Sequence, residues 1–249
     1  MVQFCRFYRY KIKAENMISK FGNWIFHYRN YLFIFLYAGV FVPLPEMINS
    51  SVTANVTGLL FIFSGMAVRG ITIGLEYIER GGLIRKINAN NLVTGGIYST
   101  CRNPMYLGNL LILFGFGIYA NSSFFTLVIF PVFVFIYYSI IKAEEQFLTK
   151  RFGQKYIDYK QKVNALLPSF RHRKTAFDHQ KFNWGKMILK EYNSLYLYFS
   201  GMLVIAFFQE TISTSLFVSG LIFVTIMFLV IKFIKHQKRA KQKTNVSKV

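Results

Sequence analysis

Residues 90–111, NNLVTGGIYSTCRNPMYLGNLL, decide how this chain is read. A polar run holding Gly95 and Gly96 passes through Arg102 and Pro104 into a long uncharged, apolar stretch. Proline suits the first turn of a helix, because the N–H it lacks would find no partner there. The apolar stretch reads as two helices, Met105–Tyr119 and Phe124–Ile141, joined by the turn signal Asn121, Ser122, Ser123. The first is short, ~23 Å against a hydrocarbon core of ~30 Å. Charge returns at Lys142, Glu144 and Glu145. A hairpin in a membrane has both open ends on one side, so Arg102 and the two glutamates are expected to converge there. A ligand fitting that set carries a cation for a glutamate and a carboxylate or phosphate for Arg102.

Composition agrees with a membrane setting. Of 249 residues, 53% are apolar, 18% aromatic and only 16% charged, the last below the soluble average. The net charge of +20 would suggest nucleic acid for a soluble protein. Here the basic residues flank apolar spans, as the positive-inside rule and anionic headgroups require, so membrane lipids and no nucleic acid are the expected partners. Cys5 and Cys101 provide neither a disulfide framework nor a metal pattern, and no metal ligands are assigned. Cys101 adjoins Arg102, which favours a thiolate, yet a lone cysteine is more often inert.

Working outward, residues 1–30 carry Arg6, Arg9, Lys11, Lys13, Lys20 and Arg29 without an apolar run. They read as a basic amphipathic surface segment anchored by Phe4, Phe7, Tyr8, Phe21 and Trp24, not as a signal peptide. A first span is expected over Tyr31–Ile48, with Pro43 and Pro45 near its far end, and a second over Val52–Leu75. Arg69 lies near the returning end of the second, where it either lines a substrate site or anchors the helix. Glu76–Arg102 reads as a loop. Lys142–Leu195 reads as an amphipathic surface helix, from the spacing of Phe152, Tyr156, Tyr159 and Val163. Leu195–Phe208 and Ser215–Ile234 complete the set.

The expected fold is all-α, a polytopic membrane bundle of about six transmembrane helices with its site on the cytoplasmic side. Both termini and all loop lysines and arginines then face the cytoplasm, in a bacterial plasma membrane or a eukaryotic endoplasmic reticulum. Glu46 and Glu210 mark the far side. The parts are an N-terminal segment 1–30, a core 31–170 with its catalytic block at 90–168, a basic linker 171–195, an added pair 196–234 and a tail 235–249.

TGGIYSTCRNPMYLGNL, followed by EEQFLTKRFGQKYIDYKQKV and Leu167-Pro168, resembles the isoprenylcysteine carboxyl methyltransferase and phospholipid methyltransferase superfamily. That family's pattern is LVT-x-G-x-Y, then R-H-P-x-Y-x-G, a helical hairpin, E-E, F-G-x-x-Y-x-x-Y and a closing proline. The resemblance implies S-adenosylmethionine at the cytoplasmic helix ends and a lipid or prenylated substrate arriving from the bilayer. It carries over Asn90, Asn91, Leu92, Val93, Tyr98, Asn103, Pro104, Met105, Tyr106 and Glu144 as cofactor contacts. Arg102 and Glu145 are the catalytic candidates, and Arg69 the substrate-side one. Two positions depart from the pattern: Asn103 stands for its histidine, and Ile140 stands where the carboxyl methyltransferases place an arginine toward the substrate carboxylate.

The leading expectation is O-methylation of a lipid-like carboxylate. Methylation of a lipid amine or hydroxyl is the alternative within the superfamily, with Glu145 as general base. An NADPH-dependent sterol-type reductase is a second alternative, opposed by Met105 where those enzymes carry asparagine and by the Glu-Glu pair. A non-catalytic membrane protein is the third.

Overall fold

The computed structural model describes residues 2–75, 92–169 and 182–246. Residues 76–91, with Asn90 and Asn91, lie outside them, as do residues 171–181 of the basic linker and the side chains of Phe4, Phe7 and Tyr8. The helices are α1 Val2–Ala38, α2 Ser51–Leu75, α3 Pro104–Tyr119, α4 Phe130–Phe152, α5 Gln154–Lys162, α6 Trp184–Phe208 and α7 Thr214–Val246. A 3-10 turn, Gly39–Phe41, extends α1, and a π-helical turn, Phe125–Ile129, leads into α4. The chain is all-α, and it divides into two compact units, residues 1–72 with 76–180, and 73–75 with 181–249.

Ser51–Leu75, Phe125–Phe152 and Thr214–Lys238 are long and apolar enough to cross a membrane, and Tyr31–Phe41 and Pro104–Tyr119 are shorter apolar helices. The protein is an integral membrane protein. Of the spans expected from sequence, the one at Leu195–Phe208 falls inside α6, whose first turns carry Lys186, Lys190 and Glu191.

Three boundaries differ from the sequence reading. The basic segment and the first span are one helix, and its helical course ends at Phe41 instead of Ile48. Pro43 and Pro45 lie just beyond, where neither could supply the N–H a continuing helix needs. The hairpin's second helix runs on past Ile141 to Phe152, so both glutamates sit within it. The expected surface helix from Lys142 is broken at Gly153, whose φ of +55° suits only glycine. Beyond that break α5 turns inward, burying Tyr156, and residues 163–169 are not helical.

In lipid, helices gain little from excluding water and associate through close packing. In the first unit α1 lies along α4, and Gly22 sits so close that a Cβ there would be 2.0 Å from the carbonyl oxygen of Ser139. Ile25, Phe133, Ile136, Tyr137 and Ile140 fill this seam, with Phe33 edge-on to Phe133 at 5.1 Å. On the other side of α3, Gly65 faces Gly108 and Gly115 faces Gly58 of α2 at backbone contact.

At the far end of the hairpin, Asn121 holds a left-handed φ of 50°. Its Oδ1 accepts from the backbone of Met47 and Ile48, while its Nδ2 donates to Glu46 and to the Ile48 carbonyl. That buried amide ties the α1–α2 connection to the α3–α4 turn. In the second unit α6 and α7 pair through Tyr192 and Tyr196 against Phe228, at 5.4 and 4.7 Å, and Phe207 against Phe217, at 4.5 Å.

Candidate active site

Successive residues on a helix point about 100° apart, so Glu144 and Glu145 face different neighbours. Glu144 turns toward α3, where the Tyr106 hydroxyl donates to its Oε1 at 2.7 Å. Tyr106 is buried, packed against the Tyr137 ring at 5.4 Å. Glu145 turns toward Arg102 and α5. The Arg102 Nη2 donates to Glu145 Oε1 at 2.5 Å, and Lys160 Nζ lies 2.8 Å from Oε2. Lys142 stands at 4.0 Å. Arg102 Nη1 also donates to the carbonyl oxygens of Lys160, at 2.8 Å, and Val163.

The polar loop before α3 is held in place by the segment after α5. Arg102 N donates to Asn164 O at 2.9 Å, Asn103 N to Ala165 O at 3.1 Å, and Ser169 N to Thr100 O at 2.8 Å. The Asn103 side-chain amide adds a bond to Ala165 O at 3.0 Å. Thus Asn103, standing where the family pattern has histidine, works as a fastener. Residues 163–169 form a strap across residues 100–103.

Around the strap one thiol and two phenols are held toward their neutral forms. Burial pushes the Cys101 thiol up to about 11, against a backbone bond at Asn103 and the Arg102 charge that act to lower it. Its Sγ donates to Leu166 O at 3.2 Å. Burial, then the Glu145 charge, raises the Tyr156 phenol well above its ordinary range. Burial, then Tyr156, does the same for Tyr159, which donates to the Tyr98 carbonyl at 2.7 Å.

Among the sequence candidates, the structure brings Arg102, Asn103, Tyr106, Glu144 and Glu145 together at the open end of the hairpin. Pro104 is buried as the first residue of α3, and Met105 is half-buried beside it. Tyr98 is buried in the 3-10 turn Gly96–Ser99, and Leu92 and Val93 are half-buried in non-helical backbone before it. Arg69 is buried on α2 and donates through Nη1 to Asn109 Oδ1 on α3, one turn deeper than Tyr106.

Arg102 and Glu145 were expected to meet ligand and acceptor separately, and they meet each other. A proton accepted by Glu145 would break its ion pairs with Arg102 and Lys160. Sequence reasoning missed Lys160 and Asn109. The available signals were Lys160 at i+4 from Tyr156 and Asn109 at i+3 from Tyr106.

Fold and cluster define an integral membrane protein of the all-α class, with a polar site at the open end of a helical hairpin. Residues 52–155 match the family model of phospholipid methyltransferases, a family of the isoprenylcysteine carboxyl methyltransferase-like superfamily. The chain is 37% identical over 79 residues to the cobalt-zinc-cadmium resistance protein CzcN of Cupriavidus metallidurans, covering 32% of this chain and 36% of that one. It is 30% identical over 94 residues to the nickel-cobalt-cadmium resistance protein NccN of Alcaligenes xylosoxydans xylosoxydans, covering 36% and 44%. The chain thus spans less than half the length of these curated relatives. No solved structure matches it.

Proposed function

We propose that the protein is a membrane methyltransferase that uses S-adenosylmethionine to methylate a membrane-embedded, lipid-like acceptor, as isoprenylcysteine carboxyl methyltransferases do at a carboxylate. The observation that carries this reading is the Tyr106–Glu144 pair at the hairpin mouth, 2.7 Å apart, within the matched segment. The donor set fits the cofactor. A carboxylate steadied by a phenol suits an ammonium group or ribose hydroxyls through charge-assisted bonds. The faces of Tyr98 and Tyr106 suit a cationic sulfonium. Leu92 and Val93, in non-helical backbone, offer amide groups to a base or an amino-acid moiety.

When bound, S-adenosylmethionine supplies an electrophilic methyl group. The chain's own residues then hold and shield. Tyr106 fixes which way the Glu144 carboxylate points. Arg102, Glu145 and Lys160 lock the loop to α4 and α5, and the strap keeps water from the loop's inner face. An acceptor carboxylate is already ionised and needs no base, which agrees with the ion-paired state of Glu145. The family's description favours a second reading, an amine acceptor, which must lose a proton; activity rising with pH, instead of level, would support it. The resistance functions in the relatives' names belong to those proteins. Among the described residues no group of three or more His, Cys, Asp or Glu side chains could hold a metal ion.

Titration calorimetry of the detergent-purified chain with S-adenosylhomocysteine, and with NADPH alongside, tests the reading. The expected result is micromolar binding of the former, lost in Glu144→Ala, and none of the latter. Absence of S-adenosylhomocysteine binding would sink it, and NADPH binding would turn it toward a reductase.

A further inference from the structure

Beyond the segment that matches the family, α6 and α7 carry a charge pattern that methyl transfer does not use. No aspartate or glutamate follows Glu210, whereas Lys232, Lys235 and Lys238 close the apolar run of α7. Basic residues flanking a span are ordinary in a membrane protein. Two of these lysines do more than flank. Lys235 reaches across to α6 and sets its ammonium over the Tyr192 ring, 4.4 Å from the centroid. Lys232 lies over the ring of Phe228, one turn back on α7, at 5.8 Å. Phe228 is itself packed on Tyr192 and Tyr196, so both ammonium groups are held at one seam. A ring face attracts a cation but brings no opposite net charge. Among the described residues neither lysine is in an ion pair.

The surface next to these lysines is apolar and bare. Ile222, Thr225, Leu229 and Lys232 recur at intervals of three and four residues, so they share one face of α7. Leu229 is 53% exposed and Ile222 55%. Ile222 and Lys232 are ten residues apart, ~15 Å along the axis, about half of a ~30 Å hydrocarbon core. The face therefore offers cations at the level of the headgroups and hydrocarbon contact through the depth of one leaflet.

The geometry points to a binding site for one anionic phospholipid, in the leaflet on the lysine side. Its phosphate sits on Lys232 and Lys235, and an acyl chain lies along Leu229 and Ile222. Phosphate oxygens accept charge-assisted hydrogen bonds from both ammonium groups, and the rings fix where those groups stand. A headgroup of net negative charge is favoured over a zwitterion, whose own cation the lysines repel. The site is independent of the methyl-transfer reading and lies in residues outside the family match.

The test counts lipids retained by the delipidated, detergent-purified full chain in native mass spectrometry. The probes are dioleoylphosphatidylglycerol, dioleoylphosphatidylcholine and inorganic phosphate. One phosphatidylglycerol is expected to bind saturably, at least about tenfold tighter than phosphatidylcholine. Lys232→Gln combined with Lys235→Gln should weaken it at least about tenfold, while Lys232→Arg combined with Lys235→Arg should keep it. Lys238→Gln combined with Lys241→Gln removes the same charge and should leave binding within about twofold. Thermal midpoints of all variants report folding. On the unaltered chain, a phosphatidylglycerol with a diazirine in its acyl chain should label α7 around Leu229, which tests the site even where a variant folds poorly. Equal retention of both lipids, no saturable lipid, or full binding in the folded Lys232→Gln, Lys235→Gln chain would each overturn the site. So would equal weakening by the Lys238 and Lys241 pair, displacement of the lipid by millimolar phosphate, or label spread evenly over every span.

Discussion

On the proposed reading, binding turns on Tyr106 and Glu144, which hydrogen-bond to each other. Removing the phenol oxygen in Tyr106→Phe leaves the ring packed on Tyr137 and deletes one hydrogen bond to a charged group, worth about 1.5–3 kcal/mol. On that reading the Glu144 carboxylate loses its aim, so S-adenosylhomocysteine affinity should fall about tenfold in calorimetry, alongside a lower melting temperature. Unchanged affinity would show that the pair serves packing alone. Cys101 is a residue whose environment speaks against reactivity. Its thiol titrates near 11, raised from 9.0 by burial, so the folded state favours the protonated form. The stability it lends is full below about pH 9 and is lost as pH rises toward 11. Maleimide should label Cys101 in the denatured chain and leave it largely unlabelled in the native chain at pH 7.5; rapid native labelling would contradict its placement under the strap.

At the scale of elements, close approach between helices carries the energetics, and glycine marks where. Gly22→Leu would drive a side chain into the Ser139 backbone, separating α1 from α4. Overpacking of this kind costs about 1–3 kcal/mol, read as a lower thermal midpoint in detergent. Asn121→Ala removes the amide that ties two connections together and leaves backbone groups of Met47 and Ile48 unpaired. Its cost should be similar, about 1–3 kcal/mol, without effect on S-adenosylhomocysteine affinity, because the amide sits at the other end of the hairpin. The hairpin itself was legible: Pro104, the uncharged run and Asn121-Ser122-Ser123 fix its start and turn by local chemistry. The convergence of Arg102 with the glutamates followed from topology. What sequence could not give was who pairs with whom. Arg102 and Glu145 read as two reagents because periodicity sees one element at a time. The third charge, Lys160, arrives on α5, whose inward turn depends on a single positive φ at Gly153. The role of Asn109 was equally invisible, being set by the α2–α3 crossing.

For the whole molecule, charge distribution predicts orientation. Glu46 stands beyond the far end of α1, and the strap with its flanking lysines stands at the other end of the hairpin. In a chain lacking Cys5 and Cys101, a cysteine replacing exposed Asn164 should react with an impermeant reagent only from the cytoplasmic side. One replacing exposed Glu46 should react only from the opposite side. Labelling of both from one side would break the hairpin topology on which the site depends. The reverse pattern would keep the hairpin and invert its orientation. The two compact units add a separate question, whether residues 182–246 bear on acceptor entry. The resemblance and the family match both stop short of them.

The strap also has a consequence for biogenesis. The amides of Arg102 and Asn103 find their acceptors on Asn164 and Ala165, which leave the ribosome only after the entire hairpin between them. Until then the polar loop has no cover, and Glu145 lacks the lysine of α5. Nascent chains stalled before Lys160 should insert their helices yet bind no S-adenosylhomocysteine, so the last amino acids of this block act as a checkpoint that separates insertion from competence.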